Sequence, residues 1–435
     1  MKIAVVGSGI SGLSAAWSLR DVADVTLFEK RTRLGGHSYT IDIDYDGVQT
    51  AVDAGFIVYN GLNYPNLIAF FDALGVETQA SDMSFAVSNP DGFEWASNPK
   101  GFFAWKRNLF SPVFHRFWRT ILRFNDVARK ELETGEISET TLGAWLDRHG
   151  FDDVFRENYI LPMGAAIWST PERDIQSYPA LSFFKFFDNH RLMHRERPNW
   201  RTVSGGSRSY VHRVAKDLGH RIRCGSPVEE INQFGSQITV RLASGDIQTF
   251  DHVILAGHSD QSARILGPSF EDRGFALRSV RYRPNQIYVH RDPVLMPKRQ
   301  AAWAAWNVLK QDEDICLTYW MNILQGLPKK RPIFVTLNPK TPPRAETIFQ
   351  SFVFDHPQYD LAAEAAVREI RRQNGENGLW FAGAWMGSGF HEDGLKSGLE
   401  AALSLGGQVP WTPQNIAPKL IPAPARPADL IRLAR

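Results

Sequence analysis

The chain has 435 residues, 43% of them hydrophobic, which is enough for two domains or one large interleaved pair with substantial cores. Forty-nine basic against 47 acidic side chains leave a formal net charge of +2, so overall charge indicates no nucleic acid or other polyanionic partner. Two cysteines, Cys224 and Cys316, form neither a metal-ligand spacing nor a disulfide framework, which predicts no metal site and a reducing, cytoplasmic compartment. No apolar run reaches the roughly 18 residues of a membrane-spanning helix.

The first predicted element is a strand, turn and helix unit. Residues 3–6 predict a short buried strand, the glycine-rich residues 7–12 a tight turn, and residues 13–20 a helix. A second strand over residues 25–28 ends in Glu29, 20 positions after Gly9. A carboxylate at this spacing accepts hydrogen bonds from ribose hydroxyls in dinucleotide-binding units.

The three glycines of the turn have different predicted roles. Gly7 permits the turn, Gly9 lets the backbone approach a pyrophosphate, and Gly12 lets helix and strand pack closely. Free amides of Ile10 and Ser11 at the positive end of the helix then face the phosphates. The motif does not by itself choose between FAD and NAD.

A second glycine pair follows Glu29 after a short loop. The loop contains Lys30 and Arg33, and Gly35-Gly36-His37 comes directly after it. The pair is either a plain glycine turn or a second close approach of the backbone to the same cofactor.

The later predicted elements return the chain to the first sheet. Residues 227–257 predict a β-meander that ends in an apolar strand over 253–255. Residues 379–381 predict a last sheet strand, residues 382–393 a glycine-rich loop, and residues 394–405 a closing helix.

These pieces resemble the flavin amine oxidase superfamily of two-dinucleotide-binding-domain flavoproteins. The matching stretches are KIAVVGSGISGLSAAWSL, FEKRTRLGGHSYT, SGGSRSYVHRVAKDL, the block 227–257 and FAGAWMGSGFHEDGLKSG. The resemblance implies an α/β fold, α+β overall, in which a Rossmann-like FAD-binding domain of the amine oxidase type is interleaved with a substrate domain of mixed sheet plus helices. The expected FAD domain comprises 1–80, 200–275 and 375–410, and the expected substrate domain 81–199 and 276–374. The C-terminal loop has no cysteine for covalent attachment, so FAD is expected to be noncovalent.

The resemblance also assigns cofactor contacts. Val228 is expected beside the adenine, and the closing helix is expected to direct backbone amides of Gly394 and Leu395 at the flavin pyrimidine ring. The full predicted cofactor set is Gly7, Gly9, Ile10, Ser11, Gly12, Glu29, Lys30, Arg33, Gly35, Gly36, His37, Val228, Gly383, Trp385, Gly387, Gly394 and Leu395.

His391 and Glu392 are the candidate catalytic residues, because a titratable pair beside a flavin suits proton handling. The alternative is structural: both are then loop residues satisfied by backbone, and Asp393 is the N-cap of the closing helix.

A closer resemblance is to a bacterial branch of NAD/FAD-binding oxidoreductases associated with cyclopropane-fatty-acid-synthase-type methyltransferases and with methylated and furan fatty acids. It rests on VDAGFIVYNGLNYPNL, NHRLMHRERPNWRTVSGGSRSYV, LMPKRQAAWAAWN, LTYWMNILQ and GFHEDGLKSG. It implies that hydride is removed from an apolar substrate, a fatty-acyl or phospholipid-acyl chain that is unsaturated or methyl-branched, to form a further double bond. An amine or other small-molecule oxidase and a non-catalytic flavoprotein partner of a lipid methyltransferase remain the alternatives.

Two segments suggest contact with lipid. Residues 100–124 combine aromatic residues with basic side chains at helical spacing, which predicts either a peripheral helix on the inner face of the membrane or a core helix of the substrate domain. Residues 411–435 form a proline-rich basic tail that wraps the surface, touches a membrane or partner, or is disordered. Aromatic residues such as Trp168, Phe186 and Trp306 either line an acyl tunnel or pack in the core.

Overall fold

The computed structural model describes residues 1–137, 139–311 and 314–419, a mixture of strands and helices that confirms the predicted fold class. The strands are β1 Lys2–Val6, β2 Asp24–Phe28, β3 Thr40–Tyr45, β4 Val48–Asp53, β5 Val58–Asn60, β6 Thr78–Ala80, β7 Phe85–Ser88, β8 Glu94–Ala96, β9 Trp200–Val203, β10 Ile222–Arg223, β11 Val228–Phe234, β12 Gln237–Leu242, β13 Ile247–Phe250, β14 His252–Leu255, β15 Tyr282–His290, β16 Trp306–Gln311, β17 Asp314–Trp320, β18 Phe334–Leu337, β19 Ile348–Pro357 and β20 Leu379–Phe381. The helices are α1 Ile10–Leu19, α2 Pro65–Ala73, α3 Pro112–Thr134, α4 Leu142–Arg148, α5 Asp153–Phe155, α6 Leu161–Trp168, α7 Glu172–Ile175, α8 Ala180–Asn189, α9 Arg208–Leu218, α10 Ser259–Ile265, α11 Glu271–Ser279, α12 Met321–Leu324, α13 Leu361–Gln373 and α14 His391–Ser404.

A five-stranded parallel sheet positions the site. Its order is β10-β2-β1-β14-β20, so three separated chain segments supply neighbouring strands. Val6 pairs with both Phe28 and Leu255, and Leu255 pairs with Phe381. The loops after these four residues therefore meet at the carboxyl edge of the sheet, where open α/β sheets bind ligands.

Two hydrophobic layers cover this sheet. Helices α1, α2, α9 and α14 pack on one face, and the antiparallel β11-β12-β13 meander with α10, α11 and α13 packs on the other. Helix α1 lies between the sheet and α14, and all ten of its residues are buried.

Both helices that flank the predicted site begin three residues earlier than the sequence predicts. Helix α1 begins at Ile10 because Gly9 adopts the extended conformation of an N-cap. Helix α14 begins at His391, and the Asp393 carboxylate accepts hydrogen bonds from the amides of Ser388 and Phe390. Asp393 therefore stabilises the helix start from the third helical position, and is not the N-cap itself.

The second part of the fold is a seven-stranded mixed sheet, β19-β15-β18-β17-β16-β7-β8, with an aromatic-rich helical cluster against it. Helix α3 is capped by the Ser111 side chain and ends at Gly135, which adopts the left-handed conformation. It buries Phe114, Phe117 and Ile121 in this cluster, whereas the apolar side chains of Val113, Trp118 and Leu122 on the same helix stay exposed. None of the described helices combines the length and apolarity needed to cross a bilayer.

The described part of the C-terminal tail, residues 411–419, packs on the first part of the fold. Trp411 stacks on Trp17 of α1 with ring centroids 6.2 Å apart, and the Gln414 amide donates to Asn66 of α2. This part of the tail follows the predicted surface-wrapping course, whereas residues 420–435 lie outside the described residues.

Candidate functional site

A cavity of about 680 Å³ opens at the carboxyl edge of the parallel sheet and extends to the seven-stranded sheet. The first glycine-rich turn lines it through Gly7, Gly9 and Ile10. The C-terminal loop lines it through Gly383 and residues 388–391. The two glycine-rich ends of the chain therefore form one site, as predicted.

The turn after β1 has the geometry of a phosphate-binding loop. Gly7 has φ +106°, a conformation that favours glycine, and its amide donates to the Phe28 carbonyl. A Cβ on Gly9 would meet no atom within 4 Å, because it would point into open space. A Cβ on Gly36 would lie 3.0 Å from the Gly9 Cα, so the second glycine pair packs directly on the first turn.

Hydrogen bonds hold Glu29 in the place expected for a carboxylate that binds the ribose. Its Oε2 accepts hydrogen bonds from the Ser8 amide at 3.0 Å and the Ser8 hydroxyl at 2.5 Å, and its Oε1 accepts from the Arg31 amide at 2.8 Å. Val228 and Ser226 line the same end of the cavity. This is the end that fits an adenosine.

Three partly exposed histidines line the cavity beside this turn. The ring of His37 lies 5.6 Å from those of His258 and His356, and 4.5 Å from Phe354. Burial lowers the pKa of all three, that of His356 to about 4, so they are neutral at pH 7. No group of three His, Cys, Asp or Glu side chains in the described chain is arranged to hold a metal ion.

The residues present fit FAD. Nε2 of His37 is buried without a hydrogen-bond partner, and Gly9 leaves a space at the N-terminus of α1 that any Cβ would occupy. Arg31 and Arg33 line the same region, so cations, free helix amides and a partnerless histidine nitrogen converge where a pyrophosphate needs donors. When bound, FAD supplies the acceptor for hydride.

His391, the first residue of α14, faces the cavity from the other side. Its ring stacks on Phe56 with centroids 3.7 Å apart, and its Nε2 lies 2.9 Å from the Ser38 hydroxyl and 3.3 Å from the Tyr210 hydroxyl. Nδ1 has no hydrogen-bond partner among the described residues. Burial lowers the pKa of His391 to about 3, so its imidazole is neutral at pH 7.

Glu392 does not reach the cavity, contrary to the prediction of a catalytic role. Its Oε1 accepts hydrogen bonds from the Asn66 amide and side chain, and its Oε2 accepts from the Leu67 amide at 2.9 Å. Both oxygens are thus occupied at the N-terminus of α2, where a carboxylate complements the helix dipole. Glu392 is a positioning residue between α14 and α2.

Several predicted cofactor contacts serve packing, because the backbone they belong to is covered by protein. A Cβ on Gly12 would lie 1.8 Å from the Gly7 carbonyl oxygen, which confirms the close packing predicted for this glycine. A Cβ on Gly387 would lie 2.5 Å from the Asp393 carboxylate, so this glycine approaches a protein side chain and not the cofactor. The Gly394 amide donates to the Phe390 carbonyl and is not free for a flavin. Gly35 and Leu395 are likewise buried, Gly35 against Ser38 and Leu395 in the core of the first part.

The remaining predicted residues do line the cavity. They are Gly7, Gly9, Ile10, Ser11, Glu29, Lys30, Arg33, Gly36, His37, Val228, Gly383, Trp385 and His391. Lys30 donates to Gln261, and Trp385 donates through Nε1 to the Gly257 carbonyl.

The end of the cavity between α6, α8 and the seven-stranded sheet is apolar and aromatic. Its lining side chains include Met83, Phe85, Met163, Ile167, Trp168, Phe186, Leu192, Trp200, Trp306 and Tyr319. The charged side chains among the described lining residues are Glu29, Lys30, Arg31, Arg33, Arg264 and Asp355. The first five follow β2 or belong to α10, and Asp355 directly precedes His356 of the histidine cluster, so charge gathers at the dinucleotide end.

Sequence reasoning missed His190, His258, His356 and Tyr359. His190 lines the apolar end, with its Nδ1 3.0 Å from the Phe186 carbonyl and its buried Nε2 without a partner. His356 lies on β19, 98 residues after His258 and 319 residues after His37, so no local pattern indicates it. His258 directly follows the turn after β14, and its position after a predicted sheet strand was a usable signal.

Comparison with known proteins agrees with this geometry. The model of the family "Flavin containing amine oxidoreductase" matches residues 10–286. A tryptophan 2-monooxygenase of Pseudomonas savastanoi is 23% identical over 331 residues, which cover 64% of this chain and 56% of that protein. The chain spans little more than half the length of the curated relatives it matches.

Two solved structures share the fold. A putrescine oxidase bound to putrescine superposes with a TM-score of 0.68 at 16% identity, covering 93% of this chain and 99% of that one. A fatty acid isomerase from P. acnes that produces CLA superposes with a TM-score of 0.64 at 12% identity, covering 91% of this chain and 96% of that one. At these identities the likeness is one of fold alone.

Proposed function

Because the chain belongs to the family of flavin-containing amine oxidoreductases, whose members use FAD, we propose that it is an FAD-dependent oxidoreductase acting on a fatty-acyl chain. The substrate would lose two hydrogen atoms from neighbouring carbons, one as hydride and one as a proton, and gain a double bond. An unsaturated or methyl-branched acyl chain, linked to a phospholipid, is the proposed form.

The observation that carries this proposal is the uncharged lining of the cavity beyond Phe390. An alkyl chain gains about 0.8 kcal/mol for each methylene that it buries against such a surface. An ammonium ion placed there finds no carboxylate, because the two carboxylates among the described lining residues, Glu29 and Asp355, lie at the dinucleotide end, and the ion loses several kcal/mol of hydration. The lining of this end therefore favours an acyl chain over a charged amine as substrate.

His391 is the proposed proton acceptor. When Nε2–H donates to the Ser38 hydroxyl, the lone pair resides on Nδ1, the ring nitrogen that no described residue occupies. Ser38 in turn hydrogen-bonds to the Tyr210 hydroxyl, so two hydroxyls hold the ring in place. The stacked Phe56 fixes its plane.

An amine oxidase is the second candidate function, and the family and the aromatic lining favour it. The rings of Trp168, Phe186, Trp200 and Phe390 line the cavity, and such rings can stabilise a cation without a carboxylate. The third alternative, a flavoprotein that supports a methyltransferase without turnover, requires that no substrate reduce the bound FAD.

The test is anaerobic stopped-flow at the flavin absorbance band, with monounsaturated and mid-chain-methylated phospholipids in one arm and a panel of amines in the other. Bleaching by lipid alone is the expected result. Bleaching by amines alone would replace the acyl proposal with the amine oxidase, and bleaching by neither panel would support the non-catalytic partner.

The same assay tests His391. His391→Ala is expected to retain FAD and to slow flavin reduction by about a hundredfold, a typical contribution of a general base. His212→Ala, at an exposed position of α9, is the matched control and is expected to reduce at the unaltered rate. An unchanged rate in His391→Ala would remove His391 from the reaction.

A further inference from the structure

An exposed apolar surface stands at the start of α3. Leu109 and Phe110, in the short 3₁₀-helix Lys106–Phe110, are 45% and 88% exposed, and Val113 in the first turn of α3 is 46% exposed. Phe114, Phe117 and Ile121 of the same helix are buried in the core. Phe110 therefore gains little from the packing of the chain itself, and Leu109 and Val113 are only about half covered by it.

The same surface is locally basic. Residues 95–125 contain six basic side chains and no acidic one, although the whole chain carries only +2. Arg116 pairs with Asp152 at 3.5 Å, whereas Lys106, Arg107 and Arg119 make no ion pair with any described residue. Lys106 and Arg107 directly precede the exposed apolar residues and are themselves exposed. The positive charges of Lys106 and Arg107 thus lie next to the exposed apolar residues Leu109 and Phe110 and are not neutralised by a carboxylate.

We propose that this surface, formed by Lys106, Arg107, Leu109, Phe110, Val113 and Arg119, docks the protein on a bilayer of anionic phospholipid. Apolar side chains at the tip would enter the acyl boundary while the basic side chains meet the phosphate headgroups. A second copy of the chain is a poorer occupant, since a two-fold contact would place Lys106 and Arg107 against their own equivalents. A neutral apolar partner would leave the charge unmatched.

The surface is linked to the cavity by packed aromatic rings. Phe117 of α3 lies 5.7 Å from Trp95, and Trp95 lies 6.3 Å from Phe85, which lines the apolar end of the cavity. Docking would thus hold the apolar end near the lipid that the proposed function requires. The docking proposal itself does not depend on the proposed function, because it concerns binding and not turnover.

Vesicle flotation of the full-length protein tests the proposal, with phosphatidylcholine vesicles compared to vesicles that contain phosphatidylglycerol. The wild type is expected to float with the anionic vesicles only. K106E/R107E is expected to lower the partition coefficient more than about thirtyfold, because thirtyfold corresponds to the loss of two basic side chains at a membrane surface and the variant also adds two acidic ones. Phe110→Ser is expected to lower it about tenfold.

Matched controls distinguish binding through this surface from effects of net charge or of exposed apolar side chains elsewhere on the protein. K329E/K330E makes the same charge change at another exposed pair, and Phe275→Ser removes an aromatic side chain that is 77% exposed on α11. Both controls are expected to float like the wild type. The proposal would be overturned if the wild type ignored anionic vesicles, or if the control variants lost binding to the same extent. A dimer that Phe110→Ser dissociates, without vesicle binding, would assign the surface to a second copy.

Discussion

Gly9 and Gly12 lie three positions apart in the first glycine-rich turn and have different roles. A side chain at position 12 would overlap the Gly7 carbonyl, whereas a side chain at position 9 would enter open space at the start of α1. Gly9 also has φ −66° and ψ 178°, which any residue adopts. One glycine therefore serves the fold and the other serves the ligand.

Gly9→Val is expected to fold normally and to lose FAD, because the new side chain fills the space for the pyrophosphate. Overpacking of this size weakens binding by about 2 kcal/mol or more, a factor of about thirty in Kd. Absorbance of flavin retained after gel filtration measures the loss, and calorimetric melting of the apoprotein checks the fold. Gly12→Val is the contrasting variant, expected to lower the melting temperature itself. Full FAD retention in Gly9→Val would contradict the pyrophosphate assignment.

At the scale of elements, helices α14 and α2 are coupled by Glu392. The Glu392 side chain extends from the first turn of α14 and accepts hydrogen bonds from the first backbone amides of α2. Gly394 and Gly398 of α14 allow close contact with α1. Glu392, Gly394 and Gly398 all belong to the GFHEDGLKSG stretch, for which the sequence predicted catalytic and flavin-binding roles. Much of that stretch instead positions helices around the cavity.

Glu392→Gln is expected to destabilise the protein by about 1–3 kcal/mol, because an amide cannot accept the hydrogen bonds of two backbone amides and an asparagine as a carboxylate does. Flavin reduction is expected to proceed at the wild-type rate. Glu400→Gln on the same helix removes a partly exposed ion pair with Arg371 and is expected to alter stability by less than about 0.5 kcal/mol. Melting and single-turnover reduction, measured together, decide the assignment: slowed reduction in a stable Glu392→Gln protein would restore the catalytic role.

The sequence predicted these elements well where a local pattern determines them. The strands predicted at residues 3–6, 25–28, 253–255 and 379–381 are four of the five strands of the parallel sheet, and Glu29 occupies the expected place after β2. The starts of α1 and α14 were wrong by three residues, because capping depends on backbone angles and on hydrogen bonds that sequence spacing alone does not specify. The histidine cluster was missed because β19 joins it only through long-range packing.

For the molecule as a whole, burial of neutral histidines links folding to pH. The pKa values of His37, His190, His258, His290, His356 and His391 are all lowered, chiefly by burial. Unfolded histidines bind protons near pH 6.5, so their contribution to stability is complete above that value and is lost as pH falls toward the folded pKa. Asp53 acts in the opposite sense, because burial raises its pKa to about 6.

The free energy of unfolding is therefore expected to fall between pH 7 and pH 5. For His190, whose folded pKa is about 4, the loss at pH 5 is about 2 kcal/mol. Calorimetric melting of the apoprotein across this range is the measurement. His190→Gln is expected to flatten the profile, and His212→Gln, at an exposed position, is expected to leave it unchanged. A melting temperature that stays constant to pH 5 would refute the linkage.

The order of strands in the parallel sheet also determines when the sheet can be completed during translation. Among the strands of this sheet, the central strand β1 leaves the ribosome first, β14 begins 250 residues later, and β20 and α14 begin 127 and 139 residues after the start of β14. The nascent N-terminal unit must wait for these late partners, although domains generally fold as units during translation. We therefore expect the flavin to load only after residue 391 has emerged, so that ribosome-stalled chains ending before β20 bind none.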